Sequence, residues 1–271
     1  MVAITTKTPM FSIAVIVTTY NWPQALRAVL SCLEGQSYHN FEVLIADDGS
    51  AKNTSELIES MRKYVHFPLR HIWHEDHGFR AGAIRNLAVA ATKCEYLVFL
   101  DGDCLVRPNF LALHTHFAKP NHFVVGNRAM LSKAFSQRIV AENLAVQNKS
   151  WWQWLPNRCH GDINRLLPLL RLPLGPVRCM RSSRWQGAKT CNLGLWRKDF
   201  LKVNGFDEKY QGWGYEDSDL VIRLIREGVL RTDGHYALAV LHLWHSEHSR
   251  QGTEENLERL NSVQTARPCS Q

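Results

Sequence analysis

Two short stretches of the sequence bring candidate metal ligands close together. Residues 100–103, "LDGD", carry two carboxylates one residue apart, directly after an apolar run. Residues 240–248, "VLHLWHSEH", carry His242, His245 and His248 at three-residue spacing. Asp-Gly-Asp also occurs in ordinary turns, so the first pattern is not specific by itself. Carboxylate and imidazole ligands in combination suit Mn²⁺ or a similar ion better than Ca²⁺. Together the stretches favour a divalent cation site with one of the histidines as a ligand.

A third stretch, residues 212–220 or "GWGYEDSDL", concentrates carboxylates after a tryptophan that lies between two glycines. One interpretation is structural: acidic groups in a first helical turn complement the helix dipole, Asp217 would be the N-cap, and Asp219 would pair with Arg223. That interpretation leaves Gly-Trp-Gly unexplained. Aromatic faces stack on sugar rings, and adjacent carboxylates bind hydroxyls and remove protons. The stretch therefore predicts a place where a sugar alcohol is held and deprotonated.

The elements that must position these residues alternate along the first half of the chain. Continuous apolar runs within 11–20, 41–50, 69–75 and 95–103 predict strands buried on both faces, and amphipathic segments between them predict helices. Such alternation is typical of parallel β/α units, which bind ligands beyond the carboxyl ends of their strands. We expect the polar clusters at 18–21, 47–50 and 101–103 along one rim, with one aspartate of "ADDGS" shaping a turn and the other facing the ligand.

The regular alternation fades after residue 126. Residues 149–186 combine Trp, Leu, Pro and Arg with a single acid, Asp162. Two interpretations stay open for this insertion: a partly helical segment packed on the domain, or an interfacial segment that contacts anionic lipid or the acceptor. The stretch from about residue 250 is polar, and we expect it to fray.

Composition narrows the classes of protein. The 271 residues carry a net charge of +7 and seven cysteines without a Cys-x-x-Cys pair, which indicates a globular protein of a reducing compartment. Neither a dinucleotide-binding Gly-x-Gly-x-x-Gly after the first strand nor a P-loop occurs. No apolar run approaches the roughly 18 residues that span a bilayer. A nucleic-acid-binding protein is disfavoured because acids cluster at the proposed rim, where they would repel phosphate. We expect a cytoplasmic protein, peripheral to the inner face of the membrane.

Four segments, "VIVTTYN", "EVLIADDGS", "LDGD" and "GFDEKYQGWGYEDSDLVIRL", resemble in order the signature segments of family 2 inverting glycosyltransferases with the GT-A fold. The last is similar to a region shared by β-1,4-galactosyltransferases and chondroitin-polymerase-type enzymes. The resemblance covers residues 11–104 and 187–248. It implies an α/β fold: a single Rossmann-like GT-A domain with a mixed, mainly parallel sheet flanked by helices. That domain would span 1–248, with a nucleotide-sugar-binding part (11–126), the insertion (149–186), an acceptor-binding and catalytic part (187–248), and a tail (249–271).

The resemblance also implies roles for single residues. The donor-binding residues would be Thr18, Tyr20, Asp48, Arg80, Asp101 and Gly102. The acceptor-binding residues would be Trp213, Gly214 and Glu216, with Asp217 as the general base. The metal ligands would be Asp103 and His245, and also His242, which lies where the galactosyltransferase branch uses a methionine.

The implied reaction is metal-dependent transfer of a hexose or N-acetylhexosamine from a UDP-sugar to a glycan or glycolipid hydroxyl, in bacterial surface polysaccharide or lipopolysaccharide biosynthesis. The expected cation is Mn²⁺, with Mg²⁺ as the alternative. A non-catalytic sugar-nucleotide-binding relative and a basic nucleic-acid-binding protein are the alternative functions.

Overall fold

The computed structural model describes residues 11–246 and 253–265 of the chain. The strands within these ranges are β1 (Ile13–Thr19), β2 (Phe41–Asp47), β3 (Leu69–Trp73), β4 (Tyr96–Asp101), β5 (Cys104–Leu105), β6 (His122–Val125), β7 (Asn127–Met130), β8 (Asn192–Trp196), β9 (Leu230–Asp233) and β10 (Ala239–His242). The α-helices are α1 (Pro23–Glu34), α2 (Lys52–Met61), α3 (Ala81–Ala90), α4 (Phe110–Phe117), α5 (Lys133–Glu142), α6 (Leu155–Cys159), α7 (Arg197–Lys202), α8 (Glu216–Arg226) and α9 (Thr253–Thr265). Among these, none combines the length and the apolarity that crossing a membrane requires.

A seven-stranded sheet forms the centre of the molecule, with strand order β3-β2-β1-β4-β8-β6-β9. The four strands from β3 to β4 are parallel, whereas β8 runs antiparallel to both β4 and β6. Side chains of β1 alternate between two hydrophobic clusters, one on each face of the sheet, which explains its continuous apolar sequence. The mixed, mainly parallel α/β architecture predicted from the sequence is confirmed.

The carboxyl ends of β1, β2 and β4 lie side by side. Thr18 is in register with Asp101, and Thr19 is in register with Asp47. The three polar clusters that follow these strands therefore share one rim of the sheet, as the parallel β/α pattern predicts.

A small second sheet with the order β5-β10-β7 brings the histidine segment to the same rim. β5 begins directly after Asp103, and β10 pairs with it antiparallel, so that His242 is in register with Cys104. This sheet was not predicted from the sequence. Its β5–β10 pairing places His242 next to the Asp-Gly-Asp turn.

The insertion at 149–186 packs on the domain through part of its length. Trp154 and Leu169 are buried in the larger hydrophobic cluster, and the Arg178 guanidinium donates to the backbone carbonyls of Asp233 and His235. Other side chains of the insertion point to solvent: Trp152 is 68% exposed and Met180 is 78% exposed.

The stretch from about residue 250 was expected to fray, but its described residues form the helix α9. Asn256 and Leu260 are buried on the domain, and Arg226 at the end of α8 donates to the carbonyl of Gln264. Within the described residues 253–265, tertiary contacts therefore order a segment whose sequence is mostly polar.

Candidate active site

The turn between β4 and β5 presents Asp103 to the histidines of the small sheet. Asp103 Oδ2 lies 3.4 Å from His245 Nε2, and Asp103 Oδ1 lies 3.6 Å from His242 Nε2. The third histidine of the pattern, His248, lies outside the described residues. The turn is tight because the Gly102 amide donates to the Thr18 carbonyl at 2.7 Å. A Cβ on Gly102 would lie 2.9 Å from that carbonyl oxygen, so a larger residue would displace the acids.

Asp103 lies at ligand spacing from each of the two histidines, and the candidate ligand atoms of Asp103, Cys104 and His242 all lie within 4.8 Å of one another. Two ligand atoms that each lie about 2.1 Å from one ion are about 3–4 Å apart, which is the spacing of the carboxylate and imidazole atoms here. Burial lowers the pKa of His242, so that its imidazole is neutral and can donate a lone pair to a metal. Asp101 points elsewhere: its Oδ1 lies 3.4 Å from the Arg85 guanidinium.

Arg85 of α3 lies at the centre of the site, although it is not among the residues predicted from the sequence. Its guanidinium is buried, donates to Thr18 Oγ1 at 2.9 Å and to Glu216 Oε1 at 3.4 Å, and lies 3.7 Å from Asp217 Oδ1. With Asp101, three carboxylates surround one cation. The signal was present in the sequence, because Arg85 is the single charged residue of the otherwise apolar and amide-bearing α3 segment "AGAIRNLAVA".

Burial and neighbouring charges shift the pKa of two carboxyl groups in this site. Burial raises the pKa of Glu216 to about 7, helped by the charge of Asp217 and opposed by Arg85. Burial likewise raises the pKa of Asp101 to about 7, with Arg85 opposing and Asp103 adding to the effect. Near neutral pH each of these two groups is therefore partly protonated.

Asp217 is bound by Thr190 and does not cap α8, so the N-cap interpretation is wrong. Its Oδ1 accepts from the Thr190 hydroxyl at 2.8 Å, and its Oδ2 accepts from the Thr190 amide at 3.2 Å. The helix starts after Tyr215, and no side chain caps it. Asp219 does pair with Arg223, at 2.6 Å, as the helical spacing predicts. Asp219 is thus structural, whereas Asp217 faces the rim.

The residues before α8 form a strained loop that presents an aromatic face. Gly212, Gly214 and Tyr215 have φ angles of 74°, 106° and 72°, in the region that favours glycine. Trp213 between them is 43% exposed. The Gly212 amide donates to the carbonyl of Phe79, which attaches the loop to the rim near α3. We call residues 211–215 the acceptor loop, after the acceptor-binding role expected for Trp213 and Gly214.

Three of the predicted donor-binding residues, Tyr20, Asp48 and Arg80, form a neighbouring group beyond the ends of β1 and β2. Asp48 Oδ1 lies 2.6 Å from His74 Nε2, and its Oδ2 accepts from the Arg80 amide at 2.9 Å. Tyr20 donates its hydroxyl to Asp76 at 2.8 Å, and the Arg80 guanidinium donates to the carbonyl of Glu75.

The two aspartates of "ADDGS" have different partners. Asp47 accepts from the Ser50 amide and shapes the turn, whereas Asp48 contacts His74 and the Arg80 amide. Burial raises the pKa of Asp48.

Comparisons with known proteins bear on the family and the fold. The model of "Glycosyl transferase family 2" matches residues 14–171, and that of "N-terminal domain of galactosyltransferase" matches residues 178–238. The chain is 28% identical over 230 residues to a hyaluronan synthase of Pasteurella multocida, covering 80% of this chain and 23% of that protein. It is 27% identical over 240 residues to a chondroitin synthase of Escherichia coli, covering 80% and 32%. It is 28% identical over 246 residues to a validoxylamine A glucosyltransferase of Streptomyces hygroscopicus subsp. jinggangensis, covering 84% and 54%.

The chain thus spans about a quarter to a third of the synthases' length and about half of the glucosyltransferase's. Among solved structures, a mannosyltransferase from Pyrobaculum calidifontis in complex with GDP-Man and Mn²⁺ superposes with a TM-score of 0.63 at 14% identity, covering 94% of this chain and 65% of that one. S. aureus TarS in complex with UDP superposes with a TM-score of 0.60 at 14% identity, covering 93% and 65%. These structures share the fold.

Proposed function

The chain belongs to glycosyltransferase family 2, and on that premise we propose that it transfers a hexose or N-acetylhexosamine from a UDP-sugar to a hydroxyl of a glycan or glycolipid, with inversion. One observation carries the proposal. Asp101, Glu216 and Asp217 come from segments more than a hundred residues apart and meet at one rim around Arg85. Structural carboxylates rarely gather in this way, because each buried charge costs free energy.

Asp217 is the general base in this proposal. An acceptor hydroxyl is a poor nucleophile near neutral pH, and a carboxylate that takes its proton accelerates attack by about 10²–10⁴. Two hydrogen bonds from Thr190 fix the orientation of the Asp217 carboxylate. Glu216 and Trp213 hold the acceptor, through its hydroxyls and its ring face. Attack opposite the leaving group inverts the anomeric carbon without a second catalytic carboxylate.

Asp103, His242 and His245 would hold a divalent cation, Mn²⁺ in the first place and Mg²⁺ as the alternative. When bound, such an ion neutralises the charge that develops on the leaving diphosphate. The ligand spacing supports this assignment, as does the Mn²⁺ named with the mannosyltransferase neighbour. The donor-binding residues are Thr18, Tyr20, Asp48, Arg80, Asp101 and Gly102. A uracil base is favoured by the resemblance of these positions and by the UDP bound to TarS.

We further propose that the insertion brings the enzyme to an anionic membrane, where a glycolipid acceptor is found. Residues 149–186 contain seven basic residues and one acid, so this segment carries most of the net charge of +7. The exposed indole of Trp152 and the exposed side chain of Met180 add apolar groups. Co-sedimentation with phosphatidylglycerol vesicles that weakens as salt rises would support the contact. Equal binding to phosphatidylcholine vesicles would contradict it.

A donor screen followed by one substitution tests the transferase. UDP-sugars are first compared by thermal shift with Mn²⁺, and transfer is then measured for Asp217→Asn, with Asp207→Asn as a control outside the site. We expect Asp217→Asn to lose at least 10²-fold in transfer while its affinity for UDP stays near that of the unmodified protein. If donor affinity falls in parallel, the role of Asp217 as base is wrong. Donor binding without release of UDP would instead indicate a non-catalytic relative.

A further inference from the structure

A helix outside the two matched family segments contacts the acceptor loop. Asn256 of α9 is buried and donates its Nδ2 to the carbonyl of Gln211 at 3.0 Å. Gln211 immediately precedes Gly212, whose amide is bound to Phe79 on the other side. The loop that carries Trp213 is therefore clamped between α9 and the rim near α3.

The helix that supplies this contact is itself anchored to the domain. Leu260 is fully buried, the Arg259 guanidinium lies 5.7 Å from the centre of the Tyr210 ring, and Arg226 donates to the Gln264 carbonyl. α9 thus connects the end of α8 with the residue before the loop. The matched family segments end at residues 171 and 238, so α9 lies beyond both.

The loop needs such support because of its backbone. Gly214 and Tyr215 have positive φ angles of 106° and 72°, and a residue other than glycine stays in this region only when its surroundings hold it there. Tyr215 immediately precedes Glu216 and Asp217. Any movement of the loop would therefore shift both the tryptophan and the first turn of α8.

We propose that α9 is a positioning element of the acceptor subsite and that Asn256 is its positioning residue. Asn256 holds the carbonyl of Gln211 and thereby fixes the direction in which Trp213 faces the acceptor. The hydrogen bond of Asn256 goes to this loop, not to the donor-binding residues or to the carboxylates around Arg85. This inference rests on the proposed transferase function for its effect on the acceptor, whereas its effect on the loop is independent of that function.

An isosteric substitution tests the inference. Asn256→Asp keeps the shape of the side chain, removes the donor and places a carboxylate against the Gln211 carbonyl. Asn261→Asp makes the same change of charge at an exposed position of the same helix and is the matched control. Asn256→Ser retains a hydroxyl donor and serves as the conservative variant if Asn256→Asp does not fold.

The first measurement is amide hydrogen exchange over residues 211–215. We expect exchange to accelerate about tenfold in Asn256→Asp, because loss of one buried hydrogen bond changes an opening equilibrium by roughly that factor, and to accelerate less in Asn256→Ser. In Asn261→Asp it should stay unchanged. Equal exchange in Asn256→Asp and Asn261→Asp would overturn the positioning role.

The second measurement separates acceptor from donor, with glucose and N-acetylglucosamine as acceptor probes. Asn256→Asp should raise the KM for the probe several-fold, while UDP affinity and acceptor-independent donor hydrolysis stay unchanged. A fall in UDP affinity of the same size would contradict an acceptor-specific role. If the unmodified protein neither binds nor turns over any UDP-sugar, the proposed function fails, while the exchange result still decides whether Asn256 holds the loop.

Discussion

Replacing Arg85 with methionine should destabilise the protein in a way that depends on pH. The buried guanidinium is the only cation in contact with Asp101, Glu216 and Asp217 among the described residues, at 3.4, 3.4 and 3.7 Å. Methionine keeps much of the length of the side chain and removes the charge. Asp217 is then left with two hydrogen bonds from Thr190, and Glu216 loses its ion pair with the guanidinium.

The size of the effect follows from the burial of these groups. Removing one partner of a buried ion network costs about 3–5 kcal/mol, because the remaining charges stay desolvated without compensation. For a domain of this size that corresponds to a fall in Tm of about 6–20 °C. The pKa of Glu216 and that of Asp101 are each raised to about 7, so both groups are charged at pH 8 and mostly protonated at pH 5. We expect the full loss at pH 8 and less than half of it at pH 5.

Urea unfolding at pH 5 and pH 8 measures both values. Arg27→Met, at an exposed position of α1, is the matched control and should change stability by less than about 0.5 kcal/mol. Adding Glu216→Gln to Arg85→Met should recover part of the loss at pH 8. A loss that is equal at the two pH values, or no larger than that of Arg27→Met, would refute the electrostatic role of Arg85.

Three further predictions concern the same rim. Thr190→Val should lower transfer about tenfold or more because Asp217 loses the hydroxyl that orients it, whereas Thr190→Ser should retain most activity; initial rates decide between them. The pKa of Glu216 is near 4.5 in the unfolded chain and about 7 in the folded one, so the folded state holds an extra proton between those values and stability falls as pH rises through them. Glu216→Gln should remove this fall, which amounts to at most about 3 kcal/mol, in unfolding experiments from pH 4 to pH 8. Gly102→Ala should weaken Mn²⁺ binding, measured by calorimetry, because its Cβ would lie 2.9 Å from the carbonyl oxygen of Thr18 and would displace the two acids; unchanged Mn²⁺ affinity would contradict the need for glycine there.

The first half of the fold is predictable from the sequence because parallel strands buried on both faces appear as continuous apolar runs. The strand in "FSIAVIVTTY" and the helix that begins at Pro23 are examples, and the structure has both. β6, β7 and β9 are four residues long and β5 is two, which is too short for periodicity to appear. Only long-range pairing defines them. The helix α9 was missed because its mostly polar sequence gives little amphipathic signal.

The candidate site was predictable in its acids and in its histidines, since both follow apolar strand runs. Its internal contacts were not. Thr190 precedes Asp217 by 27 residues, and no local pattern links them. Arg85 lies in a helix whose apolar face suggests ordinary packing, and only its contacts in the folded chain show that it reaches the acids. The partners of Asp48, His74 and the Arg80 amide, come from the next βα connection, and no local pattern links them to it.

The contacts of Arg85 also bear on the order in which parts of the chain can fold during synthesis. Thr18 precedes Arg85 by 67 positions, and Glu216 follows it by 131. Closing a loop of that length costs entropy before any contact is gained. A ribosome-bound chain that has not yet emerged beyond α7 would have to bury a guanidinium with Asp101 as its only carboxylate partner. In such a nascent chain the Arg85 guanidinium is therefore expected to stay hydrated until α8 has emerged.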